Sequence, residues 1–467
     1  MPPNKDGPTQ IKTRFPNSRS SLFRNTSVLR PIKAGTPALN VLMVTPVFPP
    51  NITVGGGVAV TCGALVDKLR LMGHSVRVIS PSLGNVDYGT SQLYPSFPVM
   101  FPTFRNLRFF HESIVAADII VCPDNTVMPF LLFLAHYHNK PIFFNLHTNV
   151  RQLLSMTGVF GTYVSGPACD WWIRLASRMT CRTFTTSPSY KQVLLERGYA
   201  ISGVFSPRIK LAVFEFDSDT SEDIQEARRW LSNGKSNLPL CLYVGRYSHE
   251  KRISLLARTM PPGVVLAIVG DGPGKAGDDI AALHDPANNI FVHRGMVCQE
   301  RLRVLYKASD FLVSASSFET LGMTVAEANC CGTPVLVQRA TGFNTQVIDG
   351  ENGFLVDFES PNITVDILSA FRNQPRKETV LKVSKEKRWD ADLPNLEDEV
   401  VRAAFIGADK SQWSSGEISM WIFMPVIFIF FCMFKVLTFP FNTLTHVANN
   451  NVATLYDKEK PAPKCSN

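Results

Sequence analysis

Ser316-Ser317-Phe318-Glu319-Thr320-Leu321-Gly322-Met323-Thr324-Val325-Ala326-Glu327-Ala328 is the most informative segment of the chain. Before it, Asp310-Phe311-Leu312-Val313-Ser314 reads as a buried strand, and behind it comes Gly332-Thr333-Pro334-Val335. Val325, Ala326, Ala328 and Cys331 give the residues between one apolar helical side. The unit is therefore strand, loop, helix. In open parallel sheets ligands sit beyond the carboxyl ends of strands, where a starting helix offers unpaired backbone N–H groups that suit an anion. Thr320, Leu321 and Gly322 occupy that position. Glu319 and Glu327 are about 12 Å apart if helical, at about 1.5 Å per residue. That is too far for the paired carboxylates of a glycosidase. They suit two ends of one long ligand, Glu327 accepting from ribose hydroxyls and Glu319 from those of a sugar. A helix cap and a solvated carboxylate are the plainer alternative.

The same pattern recurs upstream. Pro239–Val244 is an apolar run ending in Gly245-Arg246-Tyr247-Ser248-His249-Glu250-Lys251. An arginine fork and a lysine point charge on one loop suit a diphosphate, whereas either cation alone reads as a solvated surface charge. Val264–Val269 runs into the turn Gly270-Asp271-Gly272-Pro273-Gly274. The first half of the chain begins with the strand Leu39–Thr45, followed by Gly55-Gly56-Gly57, a helix expected over Val58–Met72 and a strand at Ser75–Ser80. A glycine-rich turn there lets backbone N–H groups approach phosphate, although the G-x-G-x-x-G fingerprint and the P-loop lysine are absent. A plain tight turn is equally consistent. Pro141–Leu146 leads into His147-Thr148, where a strand gives way to a loop. Residues 150–180 mix Trp171, Trp172, Tyr163 and Val159 with Arg151, Arg174 and Arg178, which fits either a core-packed excursion or a lipid-facing surface. Two doubly wound α/β halves facing each other across a cleft follow from this order.

The 467 residues, 45% hydrophobic and 18% charged, exceed one ordinary core. The expected organisation is a disordered basic arm at 1–37, an acceptor-side domain at 38–215, a linker at 216–237, a donor domain at 238–390, a return segment at 391–417, a membrane segment at 418–441 and a polar tail at 442–467. Much of the net charge of +8 comes from the arm, in which seven lysines and arginines face only Asp6. The ten cysteines show no metal-ligand spacing, as expected of a reducing compartment. Met420–Phe434 is apolar throughout and, with Lys435 and Val436–Phe441, approaches the roughly 20 residues that a spanning helix needs. Pro425 and Pro440 leave an interfacial segment equally open. No nucleic-acid partner is expected.

The ordered series of Gly-rich turn, His147-Thr148, Val244-Gly245-Arg246 with Glu250-Lys251, Val269-Gly270-Asp271-Gly272-Pro273, Glu319-x7-Glu327 and Asp349-Gly350-Glu351-Asn352-Gly353-Phe354 resembles the family 4 retaining glycosyltransferases of GT-B fold. The resemblance implies a nucleotide-sugar donor, expected to be UDP-linked here, no required metal or cofactor, and transfer with retained configuration. It further implies that Arg246 and Lys251 bind the donor diphosphate and Glu327 the ribose. Glu319 and His147 would bind the sugar near the reacting carbon. Gly245, Gly272, Thr320, Leu321 and Gly322 would shape the donor site, with Gly56 and Gly57 binding the phosphates from the other domain. Within the family, His147-Thr148, Ser187-Pro188, the Arg228 to Gly234 stretch and the apolar C-terminal region are similar to sulfoquinovosyltransferases, which make sulfoquinovosyl diacylglycerol. Arg339-Ala340-Thr341-Gly342-Phe343-Asn344 departs from the usual Gly-Gly-Ile-Pro turn. The expectation is a membrane-associated enzyme, its body on a cytoplasmic face or in a plastid, with a lipid such as diacylglycerol as acceptor and Trp171, Trp172 and Arg174 at the acceptor and membrane side. A soluble-acceptor glycosyltransferase and an inactive membrane-tethered scaffold are the alternatives.

Overall fold

The computed structural model describes residues 37–45, 52–80, 93–96, 99–102, 107–123, 129–155, 159, 161–205, 211–272, 274–388 and 393–407. The first sheet is built from β1 (Asn40–Val44), β2 (Ser75–Ile79), β5 (Ile119–Pro123), β6 (Ile142–Leu146), β7 (Arg182–Thr185) and β8 (Gly203–Val204), all parallel in the order β2-β1-β5-β6-β7-β8. Residues 41–44, 119–123 and 142–146 are buried on both faces, which is why these strands read as unbroken apolar runs. A short antiparallel pair, β3 (Leu93–Ser96) and β4 (Val99–Pro102), lies between β2 and β5 in sequence.

The second sheet repeats the plan with β9 (Leu240–Val244), β10 (Val265–Gly270), β11 (Ile290–Arg294), β12 (Phe311–Ser314), β13 (Val335–Gln338) and β14 (Gly353–Val356), again all parallel, in the order β11-β10-β9-β12-β13-β14. Strand order reverses between β9 and β12, so the loops that follow these two strands flank the crevice where such sheets bind ligands. Residues 245–251 and 315–322 are those loops.

The segment between the sheets is anchored by charge. Arg303 donates to Asp219 at 2.8 and 2.5 Å, and Lys307 reaches Asp219 and the Phe216 carbonyl at 2.8 and 2.7 Å. After the second sheet the chain returns to the first. The helix Leu396–Gly407 packs near β5 and β6, with Val400, Val401 and Ala403 buried and Glu399 3.7 Å from Arg182.

Two expectations change. Gly55, Gly56 and Gly57 do not form a turn, because the first helix already starts at Ile52 and runs to Leu71. Glycine lowers helix stability by only about 1 kcal/mol per residue, which an otherwise apolar, packed helix absorbs. Trp172 is 7% exposed and belongs to the core of the first domain, whereas Trp171 is 46% exposed. Neighbouring helical residues point about 100° apart, so the pair splits between core and solvent. The basic arm, apart from Pro37, and the segments 418–441 and 442–467 lie outside the described residues. Among the described residues no helix is long and apolar enough to cross a membrane.

Candidate active site

The loop after β9 is stiffened from beneath. Tyr243, fully buried, donates its hydroxyl to the Arg246 carbonyl at 3.1 Å, and a Cβ on Gly272 would fall 2.1 Å from the Tyr247 carbonyl oxygen. Gly272 thus lets two strand ends run backbone against backbone, underneath the cleft rather than on its wall. Arg246 Nη2 lies 2.6 Å from Glu250 Oε1, which also accepts from Ser248 at 2.6 Å. Burial works to raise the Glu250 pKa, but the Ser248 hydroxyl and the Arg246 charge outweigh it and hold the carboxyl below its ordinary value. Lys251 Nζ is paired with Glu319 Oε1 from the opposite loop. Two cations and two carboxylates therefore alternate along one wall.

The loop after β12 carries Glu319, Thr320 and Leu321 to Gly322, whose φ of 86° turns the chain into the helix Met323–Cys330. It is tied to the first domain through Thr320. The Thr320 hydroxyl donates to the His147 carbonyl at 2.5 Å, and the Thr320 carbonyl accepts from Ser187 at 2.6 Å and Thr186 at 3.3 Å. The unusual stretch around Thr341 supports the same loop. Gly342 N–H donates to the Glu319 carbonyl at 2.8 Å, and a Cβ at Gly342 would meet Leu321 N at 2.4 Å. Gln346 donates to the Leu321 and Gly322 carbonyls, and Ser189 to the Thr341 carbonyl at 2.5 Å. Ser187, Ser189 and Gln346 were missed by the sequence reading as site residues. Ser187 was legible only as a helix start, which it is, since it caps Pro188–Glu196.

His147 and Thr148 face these loops from the carboxyl end of β6. His147 is buried, its ring edge-on to Phe205 at 5.2 Å between centroids and its Nε2 2.9 Å from Asn145 Nδ2. Gly57 comes from the first helix, and a Cβ there would sit 3.3 Å from Met323 Sδ. Gly57 thus serves close approach of the two halves. The cleft between them encloses about 320 Å³ and is lined by Gly57 and His147 on one side and by Gly245, Arg246, Lys251 and Glu319 on the other, with Thr320, Leu321 and Gly322 at its floor.

Glu327 is not among the residues that line it. Glu327 sits further along the helix Met323–Cys330, buried, with Oε2 accepting from Tyr306 at 2.9 Å. Burial pushes its pKa up to about 7, and the Tyr306 hydrogen bond works against that rise. Away from the cleft, Val159, Tyr163, Val164 and Trp171 are exposed on the excursion that leaves the end of β6. Arg174 there donates to the Arg197 carbonyl at 3.3 Å.

Known proteins share this fold. Residues 225–388 match the family model described as "Glycosyl transferases group 1". The chain is similar to sulfoquinovosyl transferase SQD2 of Arabidopsis thaliana, with 28% identity over 62% of this chain and 57% of that protein. A D-inositol 3-phosphate glycosyltransferase of Thermomonospora curvata is 28% identical over 42% of this chain and 50% of its own length. Alpha-monoglucosyldiacylglycerol synthase of Streptococcus pneumoniae is 24% identical over 64% of this chain and 71% of that protein. Thus the chain spans only about half the length of the first two relatives. Among solved structures, Anabaena Alr3699/HepE in complex with UDP-glucose superposes with a TM-score of 0.58 at 18% identity, over 79% of this chain and 98% of that one. The two parallel-sheet domains are those of GT-B glycosyltransferases. The chain is a glycosyltransferase.

Proposed function

We propose that this enzyme moves a sugar from a nucleoside diphosphate sugar to the hydroxyl of a lipid with retained configuration, and that the pair is UDP-sulfoquinovose and diacylglycerol. The observation that carries the reading is the cleft wall itself, where Arg246 and Lys251 stand at the carboxyl end of β9 beside the start of the helix Met323–Cys330. The bond from the anomeric carbon to the diphosphate breaks as that carbon bonds to the acceptor oxygen on the same face. The acceptor proton passes to the departing diphosphate, whose charge Arg246 and Lys251 neutralise with no metal required. Glu319 and His147 hold the sugar and Glu327 the ribose. The lipid acceptor is supported by the similarity to two enzymes named for lipid products or sulfolipid sugars, and by the exposed Val159, Tyr163, Val164 and Trp171. The inositol phosphate relative keeps a water-soluble acceptor as the second reading. The body works in a reducing compartment, held at a membrane by this patch and by 418–441.

The test of the acceptor is product analysis by mass spectrometry with a panel of nucleotide sugars, diacylglycerol in anionic vesicles and inositol phosphate. Tyr163→Ala with Trp171→Ala is expected to lower activity on vesicles about tenfold, the loss of two interfacial aromatic contacts, while donor affinity holds. Trp172 is left alone because truncating a core tryptophan costs roughly 3–5 kcal/mol of stability. Preference for the soluble acceptor, or full vesicle activity in the double variant, would overturn the lipid reading.

The ribose assignment of Glu327 makes donor binding depend on pH. The folded pKa lies above the ordinary 4.5, so this carboxyl favours folding below 4.5, and that contribution disappears as pH rises through about 7. Binding runs the opposite way, because ribose hydroxyls donate to the ionised form. Between about pH 6 and about pH 8, wild-type affinity for UDP should rise about tenfold more than that of Glu327→Gln, in step with the ionised fraction. The variant carries the same phosphate titration in the ligand, so calorimetric curves that run parallel in the two proteins would remove Glu327 from the ribose.

A further inference from the structure

Asn145 is a polar residue inside an otherwise apolar strand, 1% exposed, and it shares a face with His147 two residues on. Its amide has one partner, His147 Nε2 at 2.9 Å from Nδ2, while Oδ1 finds no hydrogen-bond partner among the described residues. The register sets Asn145 against Pro123 of β5 and Phe184 of β7, a residue with no N–H and an aromatic ring. A buried amide with an orphaned atom is held for a reason. The reverse setting, with Oδ1 toward His147, would orphan both N–H donors, where the present one leaves a single N–H and the acceptor, and buried N–H groups tolerate that less well than carbonyls. Nδ2–H therefore donates, Nε2 must present a lone pair, and the imidazole proton belongs on Nδ1.

We infer that Asn145 is a positioning residue that fixes the His147 ring in its Nδ1–H tautomer at the wall of the cleft. The main chain of His147 is fixed at the same time by the Thr320 hydroxyl on its carbonyl. A neutral ring is what glycosyl transfer wants at this place. An imidazolium would repel the positive charge that grows at the anomeric carbon, whereas a neutral ring adds none. The effect on rate rests on the reading of His147 as a sugar-contacting residue; the tautomer does not.

The experiment is long-range nitrogen–proton spectroscopy of the full chain labelled with ¹⁵N-histidine, at mildly alkaline pH where imidazoles are neutral. His147→Gln identifies the resonance by its loss. The wild type is expected to carry the proton on Nδ1. Asn145→Asp keeps the shape but only accepts, so it should move the proton to Nε2 and lower turnover about tenfold to a hundredfold, the scale for losing a group that orients another, with a smaller change in donor KM. If the buried carboxylate prevents folding, Asn145→Leu removes the amide without adding charge and should release the ring from the Nδ1–H form with a similar loss. A wild-type proton on Nε2, or an unchanged tautomer in the variants, would overturn the assignment. A switched tautomer with unchanged turnover in both Asn145→Asp and His147→Gln would uphold it and remove His147 from the sugar.

Discussion

Arg246→Ala or Lys251→Ala is expected to lower turnover at least about a hundredfold, the scale for removing one electrostatic contact to a developing negative charge. Both cations lie on the loop after β9 and line the cleft, while the sheet beneath is held by its own parallel pairings and buried core. The variants should therefore keep the wild-type circular dichroism and melting transition. Losing Lys251 also leaves the Glu319 carboxylate without its partner at the place where a phosphate arrives, so that variant should suffer more in donor KM than Arg246→Ala. Steady-state kinetics of the two single variants against one acceptor decides the matter. Turnover near wild type in either would remove that residue from the diphosphate clamp.

Glu319→Gln is expected to separate binding from chemistry in opposite directions. In the unliganded cleft the Glu319 carboxylate holds the Lys251 ammonium, and a diphosphate must take that ammonium over. Neutralising Glu319 without changing its shape removes the competitor. Bare UDP should bind up to about fivefold tighter, the worth of a partly exposed ion pair of ~1 kcal/mol. Transfer should nevertheless fall at least about a hundredfold, because the sugar loses an acceptor for its hydroxyls. Glu327→Gln should do the reverse to UDP, weakening it. Calorimetry on the two variants gives opposite signs if the glutamates serve sugar and ribose, and equal losses would sink that division.

The strands were legible because parallel sheets covered on both faces must be apolar throughout, and the placing of Arg246, Lys251 and Glu319 along one cleft because all three follow strand ends. Gly55 to Gly57 misled because a local turn preference was overridden by the packing of a long helix, whose third glycine answers to a methionine far away in sequence. Ser187, Ser189 and Gln346 act through contacts across domains or to backbone carbonyls, and no local pattern announces them in that role. The departure at 339–344 is visible as a departure, but its meaning lies in a contact distant in sequence, that of Gly342 against Glu319 and Leu321. Trp171 and Trp172 could not be divided without knowing which face of their helix meets the sheet. Asn145 did carry a signal, one amide in an apolar strand.

Thr320 has a consequence for the timing of catalysis. A single residue joins the strand end that carries His147, the start of the helix at Pro188 and the loop that presents Glu319. Any parting of the halves by more than a hydrogen-bond length undoes all of these at once. If a donor enters by such a parting, its admission and the loosening of this cluster are one motion.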